Sequence, residues 1–308
     1  MKRLLILFGL VLISSVCASS FAQTNIKSEF VRLKTGDGIT LHGALWTPAS
    51  GKARVGIIIA PGADSEFYSD WPVWLGENFA RSGYIALSMN RRDHGQEQWF
   101  HNFEPSAIDH KYMVDFLAAR GTQAVVLVGH SYGTVTAPYY VTASDDPRVK
   151  ALVLYGPHGY KRDGLTRSFG SRAEYEQAVA KAKEMVAAGR GKETFLLPPI
   201  FPGGQPRPSS YETFLNRGGP DTEAVPVEII RKVQSRPILA IRDPADPFLA
   251  TIPPAQQQLQ EANKNLEYVL LPDIRGGKMD TAAHQFRGRE EEILQITLEW
   301  LKKHKLSP

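Results

Sequence analysis

The stretch Ala124-Val125-Val126-Leu127-Val128-Gly129-His130-Ser131-Tyr132-Gly133 decides how this sequence is read. A short, valine-rich apolar run has the length and composition of a strand buried on both faces. It ends in Gly-His-Ser-Tyr-Gly, and residues 134–142 then read as a helix. Strand, sharp turn and helix in that order hold a serine at the apex of a strained turn, its hydroxyl pushed out beyond the sheet edge. A side chain at Gly129 or Gly133 would collide where the strand doubles back into the helix. The Tyr132 N–H then points at whatever sits on Ser131, with the helix N-terminus behind it.

Outward from this stretch the chain alternates strands and helices. Val55-Gly56-Ile57-Ile58-Ile59-Ala60 is a second near-continuous apolar run, and residues 84–89, 149–155, 238–241 and 266–271 repeat the pattern. Trp71, Leu75 and Phe79 recur at helical spacing in a predicted helix over 70–81, with Asp70 as its cap. Residues 106–120, 254–263 and 290–303 read as further helices. Residues 29–33 and 39–46 flank Gly36-Asp37-Gly38 and predict an antiparallel hairpin at a sheet edge. Alternation of this kind implies a mostly parallel sheet covered on both faces.

The alternation stops between Gly156 and Arg236. There the sequence offers a charged helix over 171–188, a Pro- and Gly-rich passage from Pro198 to Pro208, and another helical piece ending in 227–233. The strand-turn-helix around Ser131 together with this layout resembles the α/β-hydrolase superfamily of serine esterases, lipases and peptidases. The resemblance implies an α/β fold with a mostly parallel, doubly wound sheet. It divides the chain into a catalytic domain over 23–157 and 237–308 and an inserted, mainly helical cap over 158–236.

A serine hydroxyl needs a base, and the base needs an orienting acid. In the family these follow in the order serine, acid, histidine, on loops at the C-terminal edge of the sheet. After the strand ending at Ile241 comes Arg242-Asp243-Pro244-Ala245-Asp246-Pro247-Phe248, where Asp246 matches the position of the acid and Asp243 is its nearest rival. His284 follows the last strand and precedes the closing helix; Asp273 and Asp280 lie in the same long loop. The catalytic set implied is Ser131, Asp246 and His284. The family's His-Gly-X turn becomes Pro61-Gly62-Ala63, so the backbone N–H groups of Ala63 and Tyr132 are the implied oxyanion donors. Asn90-Arg91-Arg92-Asp93-His94-Gly95 resembles the family's D-x-R-G-x-G segment with Asn90 for Asp and Asp93 for Gly. We read His94 as structural.

Composition narrows the partners. The formal charge of +4 includes Lys2 and Arg3, and no basic stripe stands out, which argues against nucleic acid. Residues 1–22 combine those charges with an apolar run and a small-residue site. They read as a signal peptide cleaved after Ala22, so the protein is expected in the periplasm or secreted, without a stable membrane anchor. Cys17, the only cysteine, lies inside that segment. No metal-ligand spacing or phosphate-binding loop appears, so no cofactor and no metal is expected. The reading is an exported enzyme acting on a small carboxylic ester, with two alternatives: an amide- or peptide-cleaving member of the same fold, and a non-catalytic binding protein on that scaffold. Phe67, Tyr68, Trp71, Trp74, Trp99, Phe100 and Phe103 cluster around the first loops, as core or as the lining of an apolar pocket.

Overall fold

A computed structural model describes residues 25–308 apart from 64, 160–165, 167, 200–203, 250 and 251. The expected signal segment and Cys17 lie outside the described residues. Among those described, no helix is long and apolar enough to cross a membrane.

Eight strands form one sheet: β1 (Lys27–Lys34), β2 (Thr40–Thr47), β3 (Val55–Ala60), β4 (Ile85–Met89), β5 (Ala124–His130), β6 (Val149–Tyr155), β9 (Ile238–Arg242) and β10 (Leu266–Leu270). Their spatial order is β1-β2-β4-β3-β5-β6-β9-β10. β1 and β2 pair antiparallel, as the turn at Gly36-Asp37-Gly38 predicts, and β2 runs antiparallel to β4. Every pairing from β4 to β10 is parallel. The expected doubly wound sheet is present.

Strand alternation sends side chains to two separate cores. Ile58, Leu127, Leu152 and Ala240 face one, packed with residues of α3 (His110–Ala119), α4 (Gly133–Ser144), α7 (Pro226–Lys232) and α8 (Ile252–Ala262). Ile57, Ile59, Val126, Val128, Val153 and Ile241 face the other, packed with α1 (Asp70–Arg81) and α9 (Glu290–Lys303). Parallel strands buried on both faces must be apolar at every position, and β3 is buried along its whole length.

Three local features depart from the expectation. Ser69, not Asp70, occupies the N-cap of α1. The helix expected over 106–120 is two, α2 (Phe103–Ile108) and α3, broken at Asp109. Asp109 is fully buried, and its carboxylate accepts from the Arg92 backbone N–H at 2.8 Å and from the Arg92 guanidinium. Its carboxylate therefore answers to a partner in the loop after β4 rather than to a helix surface. Finally, the segment between β6 and β9 carries α5 (Arg172–Ala187), α6 (Tyr211–Gly218) and α7, and also an antiparallel pair, β7 (Thr194–Leu197) with β8 (Arg207–Ser210). Tyr175, Val179, Leu197 and Phe214 of this segment close their own small core around Trp99, from the loop after β4. Val227, Ile230 and Val233, at and just beyond α7, instead join the first sheet core.

Candidate active site

Ser131 stands at the end of β5 with φ of 51°, in the left-handed region that costs a non-glycine residue strain. The turn is tight enough to exclude side chains on both flanks. A Cβ at Gly129 would lie 2.4 Å from the Gly133 carbonyl oxygen, and one at Gly133 would lie 2.2 Å from that of Ala60. The Ser131 N–H donates to the Tyr155 carbonyl at 3.0 Å, and its own carbonyl accepts from the Thr134 N–H and hydroxyl. The strained residue is thus held from β6 on one side and α4 on the other.

The loop after β9 brings the acid. Asp246 is 1 % exposed, and its Oδ2 lies 2.7 Å from His284 Nδ1. Its Oδ1 accepts from the Phe248 N–H at 3.0 Å, so both oxygens are held. A carboxylate can only accept, so Nδ1 donates and the neutral imidazole keeps its lone pair at Nε2. The Phe248 ring stands edge-on against the imidazole with centroids 4.7 Å apart. Gly156, at the end of β6, lies beneath: a Cβ there would sit 3.5 Å from His284 Nδ1 and 3.7 Å from Asp246 Oδ2.

Asp243 sits elsewhere. Its Oδ1 accepts from the Ala245 N–H at 2.9 Å, and its Oδ2 is 3.6 Å from Arg289 Nη1. Its backbone carbonyl receives the Asp246 N–H, which shapes the turn that presents Asp246. Asp280 caps the short 3-10 turn Thr281–Gln285 through the Ala282 N–H and pairs with Arg275. Asp273 accepts from the backbone of Arg275 and Gly277. Of the four nearby aspartates, Asp246 is the one bonded to the histidine.

His130, the residue before Ser131, ties the serine turn to the histidine loop. Its Nε2 donates to the His284 carbonyl at 2.7 Å, and the two rings lie with centroids 5.0 Å apart. Burial pushes the His130 pKa down to about 3, helped by the charge His284 can carry, so it stays neutral. Nothing in the sequence signals this bond, because its acceptor is main chain. His158, in the loop after β6, is likewise pushed down by burial and by His284.

On the other side of Ser131 runs the Pro61-Gly62-Ala63 turn. A Cβ at Gly62 would lie 3.1 Å from Ser131 Cβ, which places this turn against the serine. Among the described residues no acceptor takes the Ala63 or Tyr132 N–H. His94 meets Glu66 at 3.0 Å, and its ring bonds neither Asp246 nor His284 among the described residues. Of the aromatic cluster, Trp71, Trp99 and Phe103 are buried core, while Tyr68 is 65 % exposed.

The sheet order, the strained serine and the histidine–aspartate pair agree with one family. A model of the alpha/beta hydrolase family matches residues 57–276. The chain belongs to this family. Among solved structures, the fold of this α/β hydrolase is similar to that of the alpha/beta hydrolase GrgF from Penicillium sp. sh18, with a TM-score of 0.68 at 18 % identity over 90 % of this chain and 99 % of that one. It is similar also to a thermostable carboxyl esterase from Bacillus coagulans, with a TM-score of 0.67 at 16 % identity, covering 90 % and 98 % of the two chains. Est1E from Butyrivibrio proteoclasticus, solved with ferulic acid bound, gives a TM-score of 0.60 at 16 % identity, covering 89 % and 98 %. No curated protein matches this hydrolase by sequence.

Proposed function

We propose that this α/β hydrolase is an exported serine hydrolase that cleaves carboxylic esters through an acyl-enzyme, with Ser131, His284 and Asp246 as its triad. The observation that carries the reading is the 2.7 Å bond between Asp246 and His284 Nδ1, in a loop that His130 ties to the left-handed Ser131 turn. Ser131 Oγ attacks the ester carbonyl while His284 Nε2 takes its proton. The carbonyl oxygen becomes an oxyanion, received by the N–H groups of Ala63 and Tyr132. Collapse of the tetrahedral species breaks the C–O bond, and the imidazolium returns the proton to the leaving alkoxide. Water then attacks the acyl-enzyme with the same base and releases the acid and free Ser131. Asp246 holds the tautomer and faces the imidazolium throughout.

Esters are favoured over amides because esterases recur among the similar folds. A fluorophosphonate probe should label the protein once, at Ser131, and p-nitrophenyl esters should be turned over well ahead of aminoacyl p-nitroanilides. Absence of labelling would mean a binding protein on this scaffold, and the reverse preference an amidase or peptidase. Amino-terminal sequencing of the exported protein should begin at Gln23.

Activity should fall toward acid with a slope of one proton, because His284 is the base and His130 stays neutral down to about pH 3. A profile of kcat/KM with a slope of two above pH 4 would contradict this. Stability must be followed in parallel. Burial lowers His110 to about 4 and His130 to about 3, from an ordinary 6.5. Between those values the unfolded chain binds more protons than the folded one. The stability these groups contribute is therefore complete above about pH 6.5 and is lost as pH falls, by up to about 1.4 kcal/mol per pH unit for each.

A further inference from the structure

Asp93 is fully buried, and a buried carboxylate demands partners. It has two. Arg91 Nε donates to Oδ1 at 3.0 Å, and Arg217 Nη2 donates to Oδ2 at 2.6 Å. The three side chains are at most 2 % exposed. Burial alone would push the Asp93 pKa up, but the two guanidiniums outweigh it and hold the carboxyl at about 2.

Each arginine reaches on to one side of the oxyanion pocket. Arg91 Nη1 donates to the Pro61 carbonyl at 3.0 Å, two residues before Ala63. Arg217 Nη1 donates to the Tyr132 hydroxyl at 2.6 Å, and both guanidiniums lie near the Tyr132 ring, 5.5 and 5.7 Å from its centroid. Arg217 comes from α6, in the segment between β6 and β9, and also binds the His101 carbonyl at 2.7 Å and the Ser106 hydroxyl at 3.3 Å. Asn216 fastens the same helix to α2 through the Phe103 N–H and Glu104.

We propose that Arg217 is a positioning residue for the oxyanion pocket, the inserted segment's contribution to catalysis, fixing through the Arg217–Asp93–Arg91 chain both loops that supply the backbone donors. This rests on the triad reading above. The donors are main-chain groups that no side-chain truncation deletes, so the side chains that aim them are where the pocket can be perturbed without a proline in the turn. A transition state is sensitive to such aim in a way that a planar ester is not.

The test compares wild type with Arg217→Gln and Tyr132→Phe, each checked for folding by circular dichroism and melting. With p-nitrophenyl butyrate, Arg217→Gln should lower kcat about 10²-fold with KM changed less than about threefold. A trifluoromethyl ketone, which forms a tetrahedral adduct on Ser131, should lose affinity by a similar factor. The matched methyl ketone, which binds as a ground state, should change little. Tyr132→Phe keeps every charge paired and should shift the same quantities in the same direction by about tenfold. If Arg217→Gln does not fold, Tyr132→Phe decides. Folded variants with wild-type kcat and trifluoromethyl ketone affinity would overturn the inference, as would a raised KM with kcat unchanged. Should the wild type show neither Ser131 labelling nor Ser131-dependent hydrolysis, the triad reading fails and this inference falls with it.

Discussion

Ser131→Ala should lower kcat on p-nitrophenyl esters by at least about 10⁴-fold while the protein stays folded. The loss is large because, in the proposed mechanism, Ser131 Oγ is the atom that forms the covalent bond with the substrate. Removing its hydroxyl leaves the turn's bonds in place, since these run through the backbone of Ser131 to Tyr155 and Thr134. A melting temperature within a few degrees of wild type would accompany the loss. A folded variant that kept wild-type turnover would dispose of the acyl-enzyme mechanism on Ser131, because the neighbouring Thr134 hydroxyl is committed to the Ser131 carbonyl.

Asp246→Asn should cost about 10⁴-fold in kcat, whereas Asp243→Asn should cost less than about tenfold. An asparagine at 246 can present an N–H to His284 Nδ1. That favours the tautomer with its proton on Nε2, which then has no lone pair with which to act as a base. It also removes the charge that steadies the imidazolium. Asp243 touches neither histidine nitrogen; its carboxylate caps the turn at Ala245 and faces Arg289. The cost of Asp243→Asn should appear as stability, not rate. Single-turnover measurements on both variants, beside their thermal melts, separate the two roles. Equal loss of kcat in the two would mean that the acid is shared.

The parallel sheet was legible because buried strands leave unbroken apolar runs, as in Val55–Ala60 and Ala124–His130. The glycines around Ser131 were legible because the backbone passes there at distances no side chain survives. The choice between Asp243 and Asp246 was open in sequence. Both are buried, both precede a turn, and three positions separate them; only the direction of the turn assigns one to His284. The β7–β8 pair was missed because two four-residue strands, one of them carrying Pro208, show neither length nor alternation. The break at Asp109 was missed because helical spacing continues across it, while its cause is an arginine 17 residues away. Arg217 and Asp93 carry charges that a one-dimensional reading assigns to the surface. Their burial follows from a contact 124 residues apart in the chain.

The site's groups hang from the ends of β3, β5, β9 and β10, and so run from Pro61 to His284 along the chain. A ribosome therefore finishes the serine turn more than a hundred residues before it delivers the base. On the proposed mechanism, until the final crossover closes, the nascent polypeptide holds a nucleophile that has no means of losing its proton. Closing that circuit is a long-range event, slow to form and late in any folding sequence. Hydrolytic power should thus arrive all at once with the loop after the last strand, and a chain interrupted anywhere before His284 should be inert, however well its amino-terminal half is folded.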